Sequence, residues 1–195
     1  MKQGAALRGG VWTPRRLSDM IRLIATGDRI LMRRINQWLA PNWIRKWMVA
    51  ASRGGDGWLW SAIGLVVLCF GGERRIDALE AGFLAVAAGL ATFLILKRIT
   101  GRERPCATEP HCWSSLLPPD RFSFPSGHTI TAFAVATSIG LFYPALILGL
   151  IFCALSVAAS RVLLGLHYLS DVLAGIAIGT AIGLAAFHWL GPGLS

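Results

Sequence analysis

Charge is scarce in this chain, and negative charge is the scarcest. Charged residues make up 15% of the 195, with 10 Asp and Glu against 19 Lys and Arg. Beside 54% hydrophobic residues and a mean hydropathy of +0.57, that shortage excludes an ordinary soluble domain and points to a membrane protein. No basic stripe interleaved with aromatics accompanies the net charge of +9, which argues against a nucleic-acid partner. Basic flanks of membrane spans account for the charge instead. Residues 1–12 lack the apolar stretch and small-residue cleavage site of a secretory signal peptide, so the first span is expected to act as the insertion signal. There is no internal repeat and no low-complexity tract, and the length fits one domain.

What is present is a series of apolar runs near the ~17–25 residues that cross a bilayer. They cover residues 57–71, 76–96, 128–143, 144–160 and 172–190. In the first run Trp58 and Trp60 are expected as interfacial anchors. The last carries Gly175, Gly179 and Gly183 at four-residue spacing, a seam of small residues for close helix packing. Residues 18–52 differ, since Ile, Leu and Trp there alternate with Arg22, Arg29, Arg33, Arg34, Arg45 and Lys46. Charge this dense crosses a bilayer at high cost. Two amphipathic helices at the interface, broken at Pro41, with Trp38, Trp43 and Trp47 at headgroup depth, fit better. The expected fold is therefore all-α: a polytopic bundle of five to six transmembrane helices after amphipathic N-terminal helices. Residues 1–56 form a basic N-terminal segment and residues 57–195 a transmembrane core.

Polar residues recur where the apolar runs end. Lys97 and Arg104 lie seven apart at the exit of the second run and could address one point, although Gly101 and Pro105 favour a helix end there. Snorkelling cations at a span end would look the same. Pro125-Ser126-Gly127-His128 reads as a helix start: proline for the first turn, Ser126 as cap, and Gly127 letting an anion approach free N–H groups. A capped helix with an incidental histidine is the plain alternative. Ser160-Arg161 closes the fourth run, and His167 and Asp171 open the fifth. Four residues apart on a helix, the carboxylate could fix the imidazole tautomer and leave the other nitrogen free to attack. A buried structural His–Asp pair is also possible. Metal ligation is disfavoured, because no second carboxylate or His/Cys cluster joins a site that already holds three cations.

In order and spacing the three motifs resemble the type 2 phosphatidic acid phosphatase superfamily, over about residues 57–190. The family includes lipid phosphatases, polyprenyl diphosphate phosphatases, glucose-6-phosphatase and soluble haloperoxidases, the last excluded here by the spans. The resemblance implies that His167 is the nucleophile and forms a phosphohistidine, while Asp171 orients it and stabilises its positive charge. It makes His128 the general acid, then the activator of water. It gives Lys97, Arg104 and Arg161 the non-bridging oxygens, assisted by Ser126 and the Gly127 amide. No cofactor or metal is implied, and inhibition by vanadate is. Members of the lipid phosphatase branch usually carry six spans; the missing one would fall within residues 18–52.

The implied substrate is a lipid phosphate within the bilayer: a polyprenyl (undecaprenyl) phosphate or diphosphate, phosphatidylglycerophosphate, phosphatidic acid or lipid A. A lipid-to-lipid phosphotransferase and a non-catalytic membrane scaffold or transporter are the alternatives. A bacterial plasma membrane is expected. With five spans, eleven Lys and Arg before residue 57 share a face with Lys97, Arg98, Arg102, Arg104, Arg121 and Arg161, leaving Arg74 and Arg75 opposite. The positive-inside rule then favours a cytoplasmic site. Cys106 and Cys112 in the catalytic loop could instead form a disulfide, which needs an oxidising compartment. Cys69 and Cys153 are expected to pack within spans.

Overall fold

The computed structural model describes residues 14–108 and 120–191, every regular element of which is helical. Helix α1 (Pro14–Gln37) and α2 (Asn42–Arg53) flank the break at Pro41, where proline supplies no N–H to continue a helix. A π-turn over Gly54–Trp58, with Gly57 at φ 123°, joins α2 to α3 (Leu59–Phe70). Then come α4 (Arg75–Thr100), the single turn α5 (Pro105–Thr108), α6 (Gly127–Phe142), α7 (Ile147–Leu163) and α8 (Leu169–Leu190).

Three segments among the described residues are long and apolar enough to cross a membrane: Gly72–Thr100, Pro144–Leu163 and Leu169–Leu190. The apolar α6 is shorter, at 16 residues, and α3 has only 12. Helix α6 has no polar face, and it is enclosed by α4, α7 and α8 with Ile130, Phe133, Ala136 and Ile139 buried. The outer faces show Phe70, Phe83, Ile99, Leu148 and Trp189 to the surroundings, as contact with hydrocarbon requires. Trp58 is exposed, but Trp60 is buried in the bundle rather than facing outward as an anchor would. Two positions apart on a helix, the two indoles face opposite sides, so only one can turn outward. Cys153 packs against the core, whereas Cys69 is exposed.

Small residues set the helix spacing. The seam on α8 lies against α6 so closely that a Cβ on Gly179 would clash with the Ile130 carbonyl oxygen. The α4 face of Ala78, Ala81, Gly82, Ala85 and Gly89 is buried in the same manner. The N-terminal helices join the end of the bundle where α4 ends and α8 begins. Asp28 of α1 accepts the Ser170 backbone N–H at 3.1 Å, and Ser52 of α2 bonds Arg161 at 2.7 Å.

Because the Gly179 contact is with backbone, relief requires the helices to separate. Gly179→Ala is expected to destabilise the fold by about 1–3 kcal/mol, the usual range for overpacking. Gly149→Ala, where a Cβ would meet nothing within 4 Å, serves as the control and should be neutral. Thermal unfolding in detergent would rank the pair, and equal midpoints would remove the seam as a determinant of spacing.

Candidate active site

Four helix ends and two connections meet around one cavity of about 510 Å³. Lys97 comes from the last turn of α4, and Gly101, at φ 58°, turns the chain sharply after that helix. Arg104 stands immediately before α5, Gly127 and His128 open α6, and Arg161 lies in the last turn of α7. His167 sits in the α7–α8 connection. The spacing between Arg161 and His167 has a local cause: the connection curls back so that the N–H groups of Leu166 and His167 both donate to the Arg161 carbonyl, at 3.0 and 2.9 Å. Of the residues expected at the site, Lys97, Arg104, Gly127, His128, Arg161 and His167 line the cavity.

Arg104 is 3% exposed and fully engaged. It donates to the Leu166 carbonyl at 2.8 Å, to the Asp120 carbonyl at 2.9 Å and to both Asp120 carboxylate oxygens at 3.1 and 3.2 Å. Its Nη1 also lies 2.9 Å from His167 Nε2. Guanidinium nitrogens only donate, so Nε2 is the acceptor and carries the lone pair. The other ring nitrogen agrees: Nδ1 is 2.6 Å from the Ser123 carbonyl, which only accepts, so Nδ1 holds the proton. The buried His167 is thus a neutral imidazole with its basic nitrogen at the cavity. Burial lowers its pKa to about 3, with the charges of Arg104 and Arg161 pressing the same way and Asp171 opposing.

Asp171 is placed differently from the expectation of a hydrogen bond across one helical turn. His167 precedes α8, and Asp171 Oδ2 stands 3.7 Å from Nδ1. The carboxylate is held elsewhere, by the Tyr168 N–H at 2.8 Å and Arg102 at 2.6 Å. Sequence reasoning missed the group that bonds the ring, the Ser123 carbonyl. A backbone oxygen leaves no mark in a side-chain pattern. Ser123 is presented by the bridge between Glu103 and Phe122, with its own N–H on the Arg102 carbonyl at 2.6 Å. Arg102 was missed too; it links Asp171 to Asp28 of α1 at 2.7 Å.

One anion lies between two of the three cations. Asp120 pairs with Lys97 as well as Arg104, and Lys97 lies over the Phe93 ring at 4.4 Å. Burial alone would raise the Asp120 pKa, but the Lys97 hydrogen bond and the Arg104 charge outweigh it and hold the carboxyl below its usual range. Arg161 bonds Ser52, and its buried Nε has no hydrogen-bond partner among the described residues. Ser126 occupies the N-cap position of α6 without a side-chain cap bond. It is buried, its Oγ accepts from Thr129 at 2.9 Å, and it does not line the cavity. His128 Nε2 meets Asp56 at 2.6 Å, a partner 72 positions away that no motif marked. Among the described residues no three His, Cys, Asp or Glu side chains gather to hold a metal ion. Cys112 falls outside the described residues, and with it the expected pairing to Cys106.

A histidine whose pKa falls on folding penalises the folded state in acid. Between pH 6.5 and about 3 the unfolded chain binds this proton and the folded chain does not, so stability falls as pH drops through that window. His167→Asn is expected to flatten the acid-side fall in thermal midpoint measured in detergent; an unchanged slope would show that His167 does not titrate this way.

A family model described as the PAP2 superfamily matches residues 79–193. Decaprenylphosphoryl-5-phosphoribose phosphatase of Mycobacterium tuberculosis is 33% identical over 148 residues, covering 71% of this chain and 78% of the relative. Lipid A 1-phosphatase of Rhizobium johnstonii is 38% identical over 106 residues, or 52% of this chain and 43% of the relative. The fold is similar to the solved structure of a transmembrane PAP2 type phosphatidylglycerolphosphate phosphatase from Bacillus subtilis, at TM-score 0.69 and 21% identity over 86% of each chain. With its matched region covering more than half its length, the chain belongs to the PAP2 superfamily and is a membrane phosphatase of lipid phosphates.

Proposed function

We propose that this protein hydrolyses a phosphate monoester or diphosphate carried by a polyprenyl lipid or a glycerophospholipid, with His167 as nucleophile. The observation that carries the reading is the tautomer of His167, with its Nε2 lone pair directed to the cavity beside Arg104. Nε2 attacks phosphorus, the bond from phosphorus to the lipid oxygen breaks, and His128 supplies the proton that oxygen needs. Water then attacks the phosphohistidine, the P–N bond breaks, and His128 takes the proton from the water.

Lys97, Arg104 and Arg161 bind the non-bridging oxygens, and the Gly127 N–H at the start of α6 adds a helix N-terminus. An incoming phosphate replaces the Asp120 carboxylate between Lys97 and Arg104. Asp171, 3.7 Å from Nδ1, stabilises the positive charge that forms on the ring through space. Ser126 supports the start of α6 rather than the phosphate. The lipid tail has a path: an apolar cleft of about 450 Å³ between α3, α4 and α6 shares Gly57, Val86 and Thr131 with the catalytic cavity.

The decaprenyl-linked relative favours a polyprenyl phosphate first, with phosphatidylglycerophosphate next. The site faces the cytoplasm of a bacterial plasma membrane, supported by the concentration of Lys and Arg in residues 1–56 and at the site end of the bundle. There the basic helices α1 and α2 lie against lipid headgroups.

Purified protein should release phosphate from a panel of lipid phosphates, retain activity in EDTA and lose it to vanadate. Complete loss in EDTA would overturn the metal-free route. His167→Ala should lose at least about 10³-fold, the scale on which removal of a nucleophile acts. Undiminished release by that variant would overturn the assignment of His167. Transfer of labelled phosphate to an added lipid acceptor, in place of release, would identify a phosphotransferase.

A further inference from the structure

An acid in the wall of a cavity built to hold phosphate works against binding, and Asp56 stands in that wall. It lies in the run Gly54-Gly55-Asp56-Gly57, where the π-turn between α2 and α3 bulges the helix toward α6. Two of the glycines have a steric reason. Gly57, at φ 123°, adopts a conformation that L side chains rarely reach. A Cβ on Gly55 would sit 2.9 Å from Val157 and 3.3 Å from the His128 ring carbon Cδ2. The kink thus presses its backbone against the His128 ring and brings the Asp56 carboxylate to 2.6 Å from Nε2. The other ring nitrogen, Nδ1, has no hydrogen-bond partner among the described residues.

We infer that Asp56 is the positioning residue of the general acid: it accepts the Nε2–H of His128, fixes the ring, and leaves Nδ1 as the nitrogen that gives and takes the catalytic proton. The inference rests on the role proposed for His128. In the first step imidazolium Nδ1–H passes its proton to the departing lipid oxygen, and neutral His128 keeps its Nε2–H on Asp56. In the second step the Nδ1 lone pair takes a proton from the attacking water, which restores the imidazolium. Arg104 and Arg161 are the cations whose charges reach this ring, and Asp56 is the facing anion. Without Asp56 the ring would face cations alone and could turn about its side-chain bonds.

Leaving-group dependence separates this role from a merely structural one. An alkoxide needs a proton to depart, whereas p-nitrophenolate leaves without one. The readout is kcat/KM, which reports the steps up to phosphohistidine formation and is insensitive to its hydrolysis. Asp56→Asn, near-isosteric, is expected to lower kcat/KM for an alkyl lipid phosphate at least ~10-fold, out of the ~10²–10⁴-fold a general acid contributes, and less than ~3-fold for p-nitrophenyl phosphate. His128→Ala should lose more on the alkyl ester than on the p-nitrophenyl ester, and the double variant should match His128→Ala alone. Equal losses on both esters, full additivity in the double variant, or no loss at all would overturn the assignment of Asp56. If His128→Ala itself shows no leaving-group dependence, the role proposed for His128 fails and the inference with it. Thermal unfolding in detergent checks independently that the Asp56 variant is folded.

Discussion

The buried guanidinium of Arg104 is the contact on which the site depends. It ties the loop that follows α4 to the α7–α8 connection by donating to Leu166 and Asp120, and it donates to the nitrogen proposed to attack phosphorus. A lysine could supply the charge but not this planar fork of donors. The same contact makes Nε2 an acceptor, while the Ser123 carbonyl makes Nδ1 a donor. Two groups with fixed hydrogen-bond polarity therefore decide the tautomer before any substrate arrives. Helix packing supports them: α6 and α8 approach through the glycine seam, which brings the starts of both helices together at the mouth of one cavity.

Gathering Lys97, Arg104 and Arg161 at one buried point is electrostatically costly, and the chain has few acids to offset it. Asp120 does so locally, and its carboxylate takes the position in which phosphate oxygens are proposed to bind. The scarcity of negative charge noted at the outset thus has a counterpart in the structure. Each of the few buried or cavity-lining acids has a charged or ionisable partner. Asp120 bridges two cations, Asp171 and Asp28 share Arg102, and Asp56 meets His128.

Much of this was legible in the sequence because the chemistry sits in side chains at the ends of apolar runs. Lys97, Arg104, His128, Arg161 and His167 all reach one cavity, and the break at Pro41 and the α8 seam follow from local rules. Three features were hidden for physical reasons. The Ser123 carbonyl is backbone, common to every residue. Asp56 and Asp28 act through tertiary contacts with residues far along the chain. Asp171 looked like an i,i+4 partner of His167, but the helix begins only at Leu169, so the assumed turn does not exist. The π-turn over Gly54–Trp58 likewise takes the first two residues of the apolar run 57–71, so α3 begins only at Leu59.

The most direct test of the central claim is a structure of the protein with orthovanadate, which takes up the five-coordinate geometry of a phosphoryl group in transfer. The account predicts vanadium bonded to His167 Nε2, its equatorial oxygens on Lys97, Arg104 and Arg161, and Asp120 displaced from the cations. Vanadium bound elsewhere, with His167 Nε2 still held by Arg104 and Asp120 still between Lys97 and Arg104, would contradict it.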